Sequence, residues 1–160
     1  MAELKFLESE IIVSKTDTKG RITYGNELFL KLAGYAEADI LGKPHNIVRH
    51  PDMPRIIFKK LWDFIQSGKE INAYVVNISK NGDYYWVLAN VTPSYDSNGN
   101  IVGCHSVRRK PTQRALNVIK PLYKRLVNSE KSGGLDASSK ILNNLLEKNG
   151  DRYDKFILSL

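Results

Sequence analysis

Three β-rich runs joined by two Asn-Gly turns constrain this chain more than any other feature. Residues 71–79, 84–95 and 101–109 are rich in β-branched and aromatic side chains. Only Lys80-Asn81-Gly82-Asp83 and Asp96-Ser97-Asn98-Gly99-Asn100 separate them. Connections that short leave antiparallel neighbours as the available pairing, and Asn-Gly favours a two-residue type I′ turn at the first of them. Two shorter strands, 10–15 and 21–24, precede them across a turn at 17–20.

Between the two groups of strands the apolar spacing becomes helical. Asn26 is placed to cap a helix over 27–33 that Gly34 ends. One helical turn follows at 36–40. Asp52 is placed to cap a longer helix over 54–66, whose Ile57, Leu61, Phe64 and Ile65 fall on one face. Strands gathered on either side of a helical block predict an α+β domain: an antiparallel sheet with helices on one face and a pocket between the layers.

After Lys110 the texture changes. Residues 114–128 read as a helix that Pro121 should kink or break. Lys131-Ser132-Gly133-Gly134 is a break, and Asp136 is placed to cap a helix over 137–148 that Asn149-Gly150 ends. Tyr153, Phe156, Ile157 and Leu160 form a last short stripe, which must pack on the core, a second copy or another protein. The division is a domain over 1–109, a basic connector over 110–128 and a helical extension over 129–160.

The chain has 160 residues and a formal charge of +7, and the charge is uneven. Residues 1–107 hold 12 basic and 12 acidic side chains, residues 108–125 hold seven basic and none acidic, and residues 126–160 hold five of each. The basic segment reads either as a solvated connector or as a docking surface for an acidic partner or an anionic membrane face. Motifs for nucleic acid are lacking. A single cysteine, Cys104, excludes a disulfide framework within the chain. No apolar run reaches the roughly 20 residues of a membrane span, and residues 1–10 lack a signal pattern, so the expected setting is the cytosol.

The chemistry concentrates in Pro44-His45-Asn46-Ile47-Val48-Arg49-His50-Pro51-Asp52-Met53-Pro54. Three prolines stiffen a loop that presents Arg49, a planar fork suited to phosphate or carboxylate, beside His50 and Asp52. The plainer reading is that Asp52 caps the helix and Arg49 pairs with a surface acid. A metal site of His45, His50, Asp52 and His105 has no recognised ligand spacing. A hydrolase reading lacks a nucleophile elbow, and no serine or cysteine has an evident paired base.

That segment, with Ile22-Thr23-Tyr24-Gly25-Asn26, Ala33-Gly34-Tyr35, Trp62, the run from Lys80 to Asn90, and Pro121-Leu122-Tyr123, resembles the sensory PAS domain of the bacterial aerotaxis receptors. The resemblance covers about two-thirds of the chain. It implies a PAS fold of five antiparallel strands, non-covalent FAD, and a signalling role rather than an enzymatic one. It further implies that Arg49, His50 and Asp52 are needed for FAD, that Asn26 and Trp62 lie on or near the flavin site, and that Asn77 bonds the ring edge. Ile71 departs from the family's pattern, which often has Trp there. The receptors continue into membrane, HAMP and methyl-accepting regions. A chain ending at Leu160 is therefore expected to be the stand-alone half of a bipartite energy-taxis system, working with a HAMP-containing membrane partner and able to form a homodimer through PAS or C-terminal helices. Haem, with His50 or His105 as ligand, is the alternative cofactor. A cofactor-free PAS adaptor is the alternative function.

Overall fold

The computed structural model describes residues 1–148, 150 and 152–160. Five strands, β1 (Ile12–Asp17), β2 (Ile22–Gly25), β3 (Ile71–Ile78), β4 (Tyr84–Tyr95) and β5 (Ile101–Arg109), form one antiparallel sheet in the order β2-β1-β5-β4-β3. Between β2 and β3 run α1 (Glu27–Ala33), α2 (Glu37–Ile40), a 3-10 turn (His45–Val48) and α3 (Arg55–Gln66). Two helices close the chain, α4 (Gln113–Glu147) and α5 (Tyr153–Leu158).

The meander forms as its turns dictate, with one change. Ile78 pairs with Tyr84, Gly82 N–H donates to the Ser79 carbonyl at 2.9 Å and Ser79 N–H to the Asp83 carbonyl at 2.7 Å. The loop is thus three residues with Gly82, φ 95°, at its left-handed position, rather than a two-residue type I′ turn. The Asn81 side chain accepts from the Asp83 N–H at 3.1 Å and holds the longer loop together.

Side-chain parity divides the sheet. Val75 and Asn77 on β3 and Tyr85, Ala89 and Val91 on β4 share one face with Ser14 on β1 and Cys104, Ser106 and Arg108 on β5. The helices between β2 and β3 cover that face. Tyr74, Val76 and Trp86 belong to the other, which α4 covers: Tyr123 donates its hydroxyl to the Tyr74 carbonyl, and its ring lies 5.8 Å from that of Trp86. The sheet is therefore packed on both sides. β1 and β5 approach so closely that a Cβ on Gly103 would stand 1.9 Å from the Thr16 carbonyl oxygen.

Pro121 does not break α4. The helix runs through it, and the interruption comes at Gly134, with φ 66° and ψ −159°, inside the segment read as a break. Proline removes one N–H and crowds the preceding turn. Here buried Leu116, Ile119, Tyr123 and Leu126 hold the flanking turns against the core. The expected stop at Asn149 lies outside the described residues. The last stripe packs on the chain's own core: Tyr153, Phe156 and Ile157 are buried, and Tyr153 meets Phe64 of α3 edge-on at 6.5 Å. Asp52 does not cap α3. It is exposed, and Pro54 stands at the N-cap position without a side-chain bond. The acceptor comes instead from Glu130 on α4, which receives the N–H groups of Arg55 and Ile56. Among the described residues no helix is long and apolar enough to cross a membrane.

Candidate functional site

The inner face of the sheet, α3 and the proline-rich loop enclose a cavity of about 350 Å³. That volume suits a ring-sized ligand group. Phe58, Leu61 and Trp62 of α3 form one wall, with Val75, Ala89 and Val91 of the sheet facing them. The polar lining comprises Ser14, Thr16, His45, Asn46, Arg49, Asn77, Ser106 and Arg108, with Lys19 and Lys59.

The loop reaches the cavity because it extends the edge of β2. Ile22 N–H donates to the Lys43 carbonyl at 2.8 Å, and His45 N–H to the Gly20 carbonyl at 2.9 Å. Arg49 then bridges to Asn77 on the opposite edge strand. Its guanidinium sits 3.9 Å from the Phe58 ring centroid, a cation–π contact that keeps the charge at the wall. Burial lowers the Arg49 pKa, the Glu130 charge works against that, and Arg55 adds to it.

Arg108 carries the most distinctive electrostatics. It is 3% exposed, lies 5.3 Å above the Phe29 ring and donates to Ser106 Oγ at 2.7 Å and Ser14 Oγ at 2.6 Å. No carboxylate pairs with it among the described residues, and its Nε has no partner. Burial lowers its pKa to about 10, with Tyr85 and Cys104 acting the other way, so it stays cationic at neutral pH. A buried cation balanced by two hydroxyl dipoles and a ring face, with no carboxylate among the described residues, is costly, and a ligand with electron-rich atoms would lower that cost.

Ser14 passes this polarity on. Its oxygen accepts from Arg108, and the same hydroxyl is hydrogen-bonded to His45 Nε2 at 2.9 Å. Burial first, then the Arg108 charge, lowers the His45 pKa to about 3, so the ring is neutral. Tyr85, fully buried across from Asn77, has its pKa pushed up to about 12 by burial, against the pull of Arg108.

Of the residues singled out in the sequence, Arg49, Trp62 and Asn77 line this cavity, as does Leu61 from the α3 face, whereas Ile57, Phe64 and Ile65 do not. His50 and Asp52 line a separate cleft under α4 with Lys120, Lys124 and Lys131. There the His50 Nδ1 accepts from the Asp52 N–H at 3.0 Å. Asn26 lines neither. Its Oδ1 accepts from Val13 and Phe29 N–H at 3.1 and 3.0 Å and its Nδ2 donates to the Ile11 carbonyl at 2.9 Å, tying β1 to the start of α1. Ile71 pairs with Val91 and is buried. The sequence reading missed Ser14, Ser106 and Arg108 as lining residues. Strand parity was the available signal, since Cys104, Ser106 and Arg108 alternate onto one face. By charge alone Arg108 groups with the basic segment over 108–125.

The PAS fold family model matches residues 22–108. The aerotaxis receptor of Escherichia coli is 40% identical over 115 residues, covering 72% of this chain and 22% of the receptor. The biofilm dispersion protein BdlA of Pseudomonas aeruginosa is 30% identical over 87 residues, covering 54% of this chain and 21% of that protein. The chain thus spans about a fifth of either relative. Among solved structures, the light state of the blue-light photoreceptor Aureochrome1 LOV matches with a TM-score of 0.57 and 28% identity, covering 75% of this chain and 91% of the other. The sheet order, the cavity between sheet and α3, and a family match over more than half the sequence lead to one assignment: the chain belongs to the PAS family, with a sensory domain like that of the aerotaxis receptor.

Proposed function

We propose that this chain is a flavin-binding redox sensor, a signalling module rather than an enzyme, with FAD as its cofactor and a HAMP-containing, methyl-accepting membrane protein as its partner. The observation that carries the reading is Arg108, a buried cation without a carboxylate, aimed into an apolar-walled cavity. Likeness to an aerotaxis receptor and to a LOV photoreceptor supports it.

The residues present suit the group. Trp62, Leu61 and Val75 offer flat and aliphatic walls to a ring system, and Asn77 offers both a donor and an acceptor. Arg108 would stand against electron-rich ring atoms, and Arg49 with Lys59 would meet phosphate oxygens. A bound flavin supplies electron-transfer chemistry. The protein's part is to answer a change of charge with a change of hydrogen bonding. Arg108 holds its proton throughout, and Asn77 re-aims its side-chain amide. Because Asn77 lies on edge strand β3 and is bridged to Arg49, its turn is felt along the sheet edge and in the loop. A coupling of a few kcal/mol between two arrangements is enough to signal. The setting is the cytoplasm, at the inner face of the membrane through the partner.

Haem is the weaker reading, because neither His50 nor His105 lines the cavity and the histidine that does, His45, has its Nε2 engaged by Ser14. The test is reconstitution with FAD, followed by gel filtration and a visible spectrum before and after dithionite. Co-migrating flavin absorbance that bleaches on reduction is the expected result. A colourless protein that takes up no FAD would replace this reading with that of a cofactor-free adaptor. Capture of a HAMP-containing membrane protein by the loaded chain checks the partner.

A further inference from the structure

Phe58, Leu61 and Trp62 place α3 at the cavity wall, yet the helix has no cap of its own. A helix leaves its first N–H groups unpaired, and Pro54, at the N-cap position, has no side-chain acceptor. The Arg55 and Ile56 N–H groups donate instead to the two carboxylate oxygens of Glu130, at 2.8 and 3.0 Å. Glu130 lies on α4 and is 9% exposed. Arg55 Nε is 4.0 Å from one of its oxygens. Arg49, at the cavity wall, also feels its charge. A buried carboxylate is unfavourable unless fully engaged, and the groups that engage this one belong to α3 and the loop before it.

We propose that Glu130 is a positioning residue of the cavity: it caps α3 from α4, so the cavity wall and α4 behave as one body. A ligand that settles α3 then tightens α4 by the same factor by which α4 docking tightens the ligand. The cap itself is independent of what the cavity binds. Only the ligand arm of the test rests on the flavin reading.

The full chain without ligand is compared by hydrogen exchange as wild type and Glu130→Ala. Exchange at the Arg55 and Ile56 amides should rise roughly tenfold or more, since a bond to a charged acceptor is lost. Unchanged exchange at both amides overturns the proposal. With FAD, Glu130→Ala should weaken binding roughly fivefold or more. Adding Pro54→Ser, whose hydroxyl is placed to accept the Ile56 N–H, should restore affinity to near wild type while the Arg55 amide stays fast. If affinity does not recover although the Ile56 amide does, Glu130 acts only on stability and the positioning role is wrong. If wild type binds no FAD, the flavin reading falls and the exchange arm alone decides the cap.

Discussion

Tyr123 on α4 and Trp86 on β4 lie with ring centroids 5.8 Å apart, while the Tyr123 hydroxyl donates to the Tyr74 carbonyl on the neighbouring strand. One side chain thus fastens α4 to two adjacent strands on the face opposite the cavity. Removing the hydroxyl with Tyr123→Phe should cost about 1 kcal/mol. Removing the ring with Tyr123→Ala should cost about 3–5 kcal/mol. Urea unfolding of both variants separates the two contributions, and equal losses would show that the ring contact contributes nothing.

Arg108 should separate stability from ligand binding. In Arg108→Met the unpaired cation gives way to an apolar chain of similar reach. The ligand-free protein should keep its stability or gain about 1 kcal/mol. Retention of added FAD should fall roughly tenfold or more. A variant that loses stability while keeping full FAD uptake would show that the charge serves the fold alone.

Protonation of His45 should make the fold sensitive to acid. Its folded pKa is lowered to about 3, well below that of an unfolded histidine. The unfolded chain therefore binds this proton first as pH falls. The contribution is complete above about pH 6.5 and declines toward pH 3 by at most about 1.4 kcal/mol per pH unit. His45→Gln, which cannot take up that proton, should flatten this limb in urea titrations at stepped pH. An unchanged slope would assign the acid sensitivity to other groups.

Asn26 should behave as a structural residue. Its amide holds Val13, Phe29 and Ile11 backbone groups at once. Asn26→Ala should cost about 1–2 kcal/mol through the lost cap of α1. FAD uptake by the folded fraction should match wild type. Loss of uptake with undiminished stability would place Asn26 at the ligand after all.

Gly103 is fixed by space. A methyl group there meets the Thr16 carbonyl oxygen, part of the β1 backbone, so β1 and β5 would have to part. Gly103→Ala should cost about 3 kcal/mol or more. A thermal melt within a degree or two of wild type would show that the strands can separate freely.

Much of this architecture was readable because it is local. The hairpin strands over 84–95 and 101–109 and the Asn26–Gly34 helix follow from neighbouring residues. Asn26 accepts the Phe29 N–H, and Gly34, φ 78°, closes the helix on the Leu30 carbonyl. What could not be read depends on distant contacts. Asp52 looked like the cap of α3 because it lies at the right spacing, but the cap comes from Glu130, 75 residues beyond Arg55. Pro121 looked like a helix breaker because local propensity says so, whereas packing on Trp86 and Tyr74 overrides it. Within the site, the conspicuous loop residues parted: Arg49 faces the cavity, while His50 and Asp52 face the cleft beneath α4. Arg108 was hidden among exposed bases because charge alone does not tell which side of a strand a residue occupies.

The pairing of β1 with β5 also sets an order of events. Ser14 and Arg108 are 94 residues apart, and their contact closes the polar floor of the cavity. Contacts that distant in sequence are slow to form and come after local ones. On a ribosome, β2 to β4 and the helices between them can emerge and collapse while β1 still lacks its neighbour on that side. The sensor would then be assembled with its charge last: a nascent chain has walls before it has a ligand site, and it becomes competent only when its fifth strand slides into the middle of the sheet.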